Sequence, residues 1–186
     1  EPQAGTATWS AKIDLGNDQP DAWNRQGLPV RQLSAQAVLS LEQLDIAAAS
    51  VELGGRARAG MARMRGQVPL RELLRSRLQI ELQQVDLRPL LTTLPRTSLD
   101  GQVTVEPFQQ GRRIRVDLRN AAPGPLDVDR LPVGRLVADA RQDAAQWRIE
   151  TLDAQVGSGL ASLRADFVPS TRQIDLKAQL QGLPLR

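Results

Sequence analysis

Residues Ile114–Ala140 read IRVDLRNAAPGPLDVDRLPVGRLVADA: an alternating run, a Pro/Gly-rich break, then a second alternating run. Ile114, Val116 and Leu118 alternate with Arg115, Asp117 and Arg119, and Leu136, Ala138 and Ala140 alternate in the same way after the break. A period of two puts successive side chains on opposite sides of a strand, so each run predicts a strand with one dry face. An earlier copy precedes it. Ala11–Ala37 (AKIDLGNDQPDAWNRQGLPVRQLSAQA) overlays it without a gap at an offset of 103 residues, which sets Asp14 on Asp117. Leu15, Asn17, Pro20, Leu28, Pro29, Val30, Leu33, Ala35 and Ala37 then meet identical residues. Further on, Ile46 meets Ile149, Gly54 meets Gly157 and Ala62 meets Ala165. Self-similarity at a fixed period marks a repeat architecture in which each unit buries apolar surface against the next. We read residues 1–98 as one unit, carrying a helical insertion, and residues 99–186 as a second, joined in one continuous β structure.

The rest of the chain repeats the pattern. Trp9, Ala11, Ile13 and Leu15 alternate with Ser10, Lys12 and Asp14, as part of a strand predicted over Ala7–Leu15. Leu41–Leu53 also fits a helical face, and its alignment with the clearly alternating Trp147 and Ile149 decides for strands. Further strands follow at Ala57–Met64, Leu78–Leu82, Val103–Val105, Ala154–Val156, Leu163–Phe167 and Ile174–Leu180. Pro69 followed by Leu70, Leu73 and Leu74 predicts a short helix near 70–77, and RPLLTTLP predicts another near 88–94. Strands of five to eight residues joined by short polar turns make an all-β antiparallel meander.

Composition narrows the function. Aromatic residues are 3% of the 186, with no Tyr and only Phe108 and Phe167 for Phe, so the interior is aliphatic. Twenty-four basic residues, all Arg but Lys12 and Lys177, are offset by 21 acidic ones, which predicts no nucleic-acid partner. One local excess runs from Arg56 to Arg77, with Arg58, Arg63, Arg65, Arg71 and Arg75 against Glu72; it reads as a solvated face or as an attraction for anionic headgroups. Without His or Cys the usual general base, nucleophile and soft metal ligands are missing, so neither catalysis nor a cofactor is expected. Asp127 and Asp129 are read as turn formers rather than cation ligands. No apolar run is long enough to span a bilayer as a helix. A start in mid-pattern at Glu1-Pro2 reads as an internal piece of something longer.

Every strand therefore offers one aliphatic face with no alternating helix to cover it. A two-sheet sandwich, a transmembrane barrel or a long curved sheet with an apolar trough would each hide such a face. Membrane barrels carry aromatic girdles, and a chain without Tyr suits them poorly.

Particular motifs resemble the repeats of TamB-like proteins in the wider AsmA-like group. These are Val85-Asp-Leu-x-x-Leu-Leu-x-x-Leu-Pro95 with Leu99-Asp-Gly-x-Val-x-Val105, the Asn-x-x-Pro-Gly-x-Leu-Asp stretch from Asn120, and Trp147…Gly157-x-Gly159. The first unit departs from the pattern in having Leu44 where the second has Trp147. The resemblance implies a periplasmic protein anchored in the inner membrane by a segment outside this sequence, with a sheet folded into a hydrophobic groove (a β-taco). It implies transport of phospholipids between the inner and outer membranes. Alternatively, it implies a scaffold for outer-membrane β-barrel assembly by β-augmentation, working with an Omp85-type (TamA-like) partner. The residues read as lining the groove, against phospholipid acyl chains, are Trp9, Ile13, Leu15, Leu33, Leu44, Ile46, Leu53, Ile80, Leu82, Val103, Val105, Ile114, Val116, Leu118, Leu136, Trp147, Ile149, Val156, Leu163, Phe167, Ile174, Leu176 and Leu180. Exposing one 16-carbon chain to water costs on the order of 12 kcal/mol at about 0.8 per methylene, which a continuous aliphatic trough offsets.

Overall fold

The structure is a computed structural model in which residues 8–182 are described. Eleven strands form one antiparallel sheet in strict chain order. They are β1 (Trp9–Gly16), β2 (Val30–Leu39), β3 (Gln43–Gly54), β4 (Arg58–Pro69), β5 (Arg77–Val85) and β6 (Leu99–Phe108). The remainder are β7 (Gly111–Asn120), β8 (Val133–Gln142), β9 (Trp147–Val156), β10 (Gly159–Val168) and β11 (Gln173–Gln181). The sheet is curved and open: β1 pairs only with β2, and β11 only with β10. Ala7, the start of the first strand expected from sequence, lies outside the described residues.

The strands run longer than the alternation alone marks out, reaching to tight turns at one rim and to long connections at 17–29, 86–98 and 121–132 on the other. Both expected helices contract. Of 70–77 only a 3-10 turn at Leu73–Arg75 forms, and 88–94 holds successive hydrogen-bonded turns, with Leu91 N–H donating to Leu87 O at 3.0 Å and Leu94 N–H to Leu91 O at 2.9 Å. A helix of two turns is marginal without packing around it. Here both ends of each segment are also pinned, 70–76 by the β4–β5 ladder and by Leu70 N–H on Glu42 O, and 88–94 between Pro89 and Pro95.

The offset of 103 is written into the hydrogen-bond register. Every β1–β2 pair recurs in β7–β8, from Ile13↔Ala35 to Val116↔Ala138. Every β2–β3 pair recurs in β8–β9, from Val30↔Leu53 to Val133↔Val156, irregularities included. The 3-10 turn Trp23–Arg25 recurs as Leu126–Val128, each closed by a left-handed residue, Gln26 (φ 61°) and Asp129 (φ 64°). The structural period is thus six strands. At β4 the equivalence slips, because the connection from Leu53 to Gly60 is longer than that from Val156 to Gly159. Ala62 and Ala161 both pair with β-strand positions of equal rank, Val51 and Ala154, so Ala165 is not the counterpart of Ala62.

The identities that reveal the repeat are largely loop fasteners. Asn17 accepts from Gln19 N–H (3.1 Å) and donates to Leu28 O (3.2 Å). Its counterpart Asn120, buried at 4% exposure, goes further: it accepts from Ser98 and Ala122 N–H and donates to Leu131 and Val133 O. Pro29 and Pro132 carbonyls accept from Gly54 and Gly157 N–H. Glycine is required at three points on the apolar side, Gly60 (φ 105°) among them, where a Cβ would lie 2.5 Å from Gln84 O. At Gly66 and Gly101 (both φ 148°) a Cβ would lie 2.0 Å from Arg77 O and 2.1 Å from Asp117 O.

Removing a buried amide strands every group it served. Asn120→Ala is expected to cost about 2–3 kcal/mol in urea unfolding, and Asn17→Ala, on the exposed copy, less than about 1. Equal losses at the two sites would contradict this account.

Candidate functional site

Cross-strand partners point to the same face. One row crosses the sheet from edge to edge with a residue per strand: Ile13, Ala35, Ala49, Met64, Ile80, Val103, Val116, Ala138, Leu152, Leu163 and Ala178. Flanking rows from Ala11 to Leu176 and from Leu15 to Leu180 contain only Leu, Ile, Val, Ala and Gly. At a strand spacing of about 4.8 Å, ten steps make roughly 48 Å of unbroken aliphatic surface. The row behind, on the other face, reads Asp14, Ser34, Ser50, Arg63, Glu81, Gln102, Asp117, Val137, Asp153, Ser162 and Gln179.

By register, all the residues read from sequence as groove-lining lie on this one apolar face. Among them only Val105 is buried; Leu33 to Leu163 on the inner strands are half-buried. The flanking strands leave theirs open, with Trp9 51%, Leu15 58%, Ile174 67% and Leu180 68% exposed. Among the described residues no second layer covers the face, and no large side chain is fully buried. The chain exposes 12808 Å². A compact monomer of 20.4 kDa would expose roughly 8,800 Å². An uncovered sheet accounts for the excess.

Sequence reasoning missed Ala49, Val51, Leu152 and Met64, which occupy the middle of the same rows. The cause is a bulge in each unit. Ala47–Ala48 oppose one residue of β4, and Glu150–Thr151 oppose one of β10. An extra residue inverts the alternation, so that strict period two from Trp147 and Ile149 would have carried Thr151 and Asp153 inward. The return of the apolar pattern at Leu152, Ala154 and Val156 was the available signal.

The opposite face is laced with ion pairs. Arg113 grips Asp139 through Nε (2.8 and 3.0 Å) and Nη2, Arg135 meets Asp117 at 2.9 Å, Arg148 meets Asp166 at 2.6 Å and Arg141 meets Glu150 at 3.3 Å. Phe108 forms a lid on Arg141, whose guanidinium carbon is 4.5 Å from the ring centre. The Arg56–Arg77 excess disperses: Arg56 faces Asp21, Arg58 faces Glu52 and Arg75 faces Glu72, while Arg63 and Arg65 lie on the polar face. An open concavity of about 510 Å³ surrounds the Ala47–Ala48 bulge there, with Lys12 and Glu81 among its walls. Asp129 pairs with Arg88 and caps its turn, and Asp127 sits in the first turn beside it. Among the described residues, no helix is long and apolar enough to cross a membrane. Comparison with family models, with curated proteins and with solved structures gives no match.

Hydrogen bonding from Arg113 holds the Asp139 carboxyl below its ordinary pKa, and the nearby Arg115 and Arg141 charges act in the same direction. Arg135 does the same for Asp117, and the Ala145 and Gln146 backbone N–H groups for Asp143. A depressed folded-state pKa stabilises the sheet above the unfolded carboxyl value near about 4, and this stabilisation disappears as pH falls through the depressed values. Asp139→Asn is expected to lower stability by about 1 kcal/mol at neutral pH. The gap to wild type should close near pH 2 in urea titrations. A pH-independent gap would contradict the pairing.

Proposed function

We propose that this chain carries phospholipid acyl chains along the apolar face of its sheet, as part of a periplasmic conduit between the inner and outer membranes. The observation that supports it is the set of unbroken aliphatic rows crossing all eleven strands with no layer over them. A near-uniform aliphatic lining gives neighbouring positions nearly equal affinity, so a chain can slide sideways from strand to strand without leaving apolar contact. Headgroups would remain at the rim, in water. The setting rests on the resemblance of Val85–Val105 to TamB-like repeats: the inner-membrane anchor outside this sequence, the reach to the outer membrane, and an Omp85-type partner.

A second reading keeps the fold and changes the cargo. Among the described residues the outer backbone edges of β1 and β11 have no strand partner, and β11 is exposed along its whole length. Such edges accept an incoming strand by β-augmentation, which would suit assembly of β-barrel proteins.

Val116→Arg separates these readings. The side chain is half-buried on the open face, so a long cation can reach water and the fold should survive, with a stability change of about 1 kcal/mol or less. Phospholipid captured by a photoreactive residue at Ile149, and phospholipid seen by native mass spectrometry, should fall at least tenfold. Lys177→Pro, on the polar face of the edge strand β11, should leave lipid capture intact and abolish pairing of an added β-strand peptide. Wild-type protein free of lipid after extraction-free purification, and unreactive at Ile149, would overturn the conduit.

A further inference from the structure

The apolar face has a polar break along the rim of the β6–β7 and β8–β9 hairpin tips. Above the three aliphatic rows, a fourth begins Trp9, Leu39, Leu44 and Val68 in the first unit. In the second unit its counterpart reads Arg112, Gln142, Trp147 and Phe167. The repeat thus places a guanidinium and an amide where the first copy has an indole and a leucine. Arg112 Nε donates to Gln142 Oε1 at 2.7 Å, and its guanidinium carbon lies 5.8 Å from the centre of the Trp147 ring. Those contacts fix the side chain and leave its charge uncompensated. The three arginines at the same level on the opposite face, Arg113, Arg141 and Arg148, each hold a carboxylate; Arg112 holds none among the described residues. It also stands at one edge of an open concavity of about 580 Å³ at the β6–β7 and β8–β9 hairpin tips, whose other walls include Asp143 and the polar-face Arg141 and Arg148.

Below Arg112, β7 presents Ile114, Val116 and Leu118 on the same face. Three steps of two residues make about 20 Å of apolar track, against a half-bilayer hydrocarbon thickness of roughly 15 Å. A charge at the mouth of a track of acyl-chain length fits an anionic amphiphile with its head up and its tail along the strand. We infer that Arg112 anchors the phosphate of a lipid whose chain lies on β7 and β8. The inference rests on the acyl-chain reading above and adds to it a stopping point and the residue that holds the phosphate there. Its guanidinium meets two phosphate oxygens at once, and Trp147 supplies a floor that shields the pair from water. On this account the first unit passes lipids indiscriminately, and the second retains those with an exposed phosphate.

The test uses the whole chain with Trp9→Phe and Trp23→Phe, so that Trp147 alone reports. Dodecyl phosphate and dodecyl maltoside are titrated separately below their micelle-forming concentrations. Arg112→Gln should weaken dodecyl phosphate about tenfold and leave dodecyl maltoside within twofold. Arg119→Gln, which removes the same charge from the polar face, should leave both within twofold. Arg112→Gln acting on both amphiphiles, or on neither, would overturn the anchor while leaving the acyl-chain reading in place. So would inorganic phosphate competing as well as dodecyl phosphate, which would mark a plain anion site. Failure of both amphiphiles to bind the wild-type chain would sink the acyl-chain reading and this one together.

Discussion

Backbone pairing between neighbouring strands is what holds this protein in shape. In most domains the ladder is one contribution among several, and burial of side chains between two layers supplies the larger part. Among the described residues there is no second layer, most large side chains are at best half-buried, and the well-buried apolar residues are Ala22, Ala49, Ala59, Val85, Val105 and Ala154. Apolar contact therefore comes from curvature, which brings each strand's aliphatic side chains against those of its neighbours. The ion pairs of the other face add cross-strand links such as Arg113 with Asp139, in water, where each contributes modestly.

That arrangement explains why the rim is built with such care. A sheet with no core behind it has little to prevent its ends from fraying, and along the rim of the long connections stand the buried polar residues Thr97 and Asn120. Thr97 Oγ1 accepts from Leu87 N–H and donates to Val85 O, and Asn120 joins Ser98, Ala122, Leu131 and Val133. The turn at Trp23 reaches the next connection through its N–H on Leu90 O, as Arg96 N–H reaches Asp129 O. The rim is a chain of clasps running from one unit into the other.

Much of this was legible in the sequence, and the reasons differ by residue. Alternation at Ile114–Leu118 or Ile174–Leu180 is a direct print of the pleat, so strand identity and facing could be read without ambiguity. The repeat was legible because Asn17/Asn120 and Leu28-Pro29-Val30/Leu131-Pro132-Val133 perform the same backbone-fastening tasks in both copies. The short helices were misread: Leu70, Leu73 and Leu74 have helical spacing, but anchoring at both ends leaves room for a single turn. The bulges hid Ala49 and Leu152, since parity counting assumes one residue per rung. Arg112 was hidden for another reason. Its flanks place it in a turn region on sequence, and only the register shows that it stands on the aliphatic face beside Trp147.

The strict meander order has a consequence for how such a sheet comes into being. Each strand's partners are the strands just before and just after it in the chain, so no segment must wait for a distant one. A polypeptide synthesised N-terminus first can zip up rung by rung, each new strand adding to the edge left by the one before it. Assembly of this kind proceeds like knitting, with the most recent row serving as the template for the next.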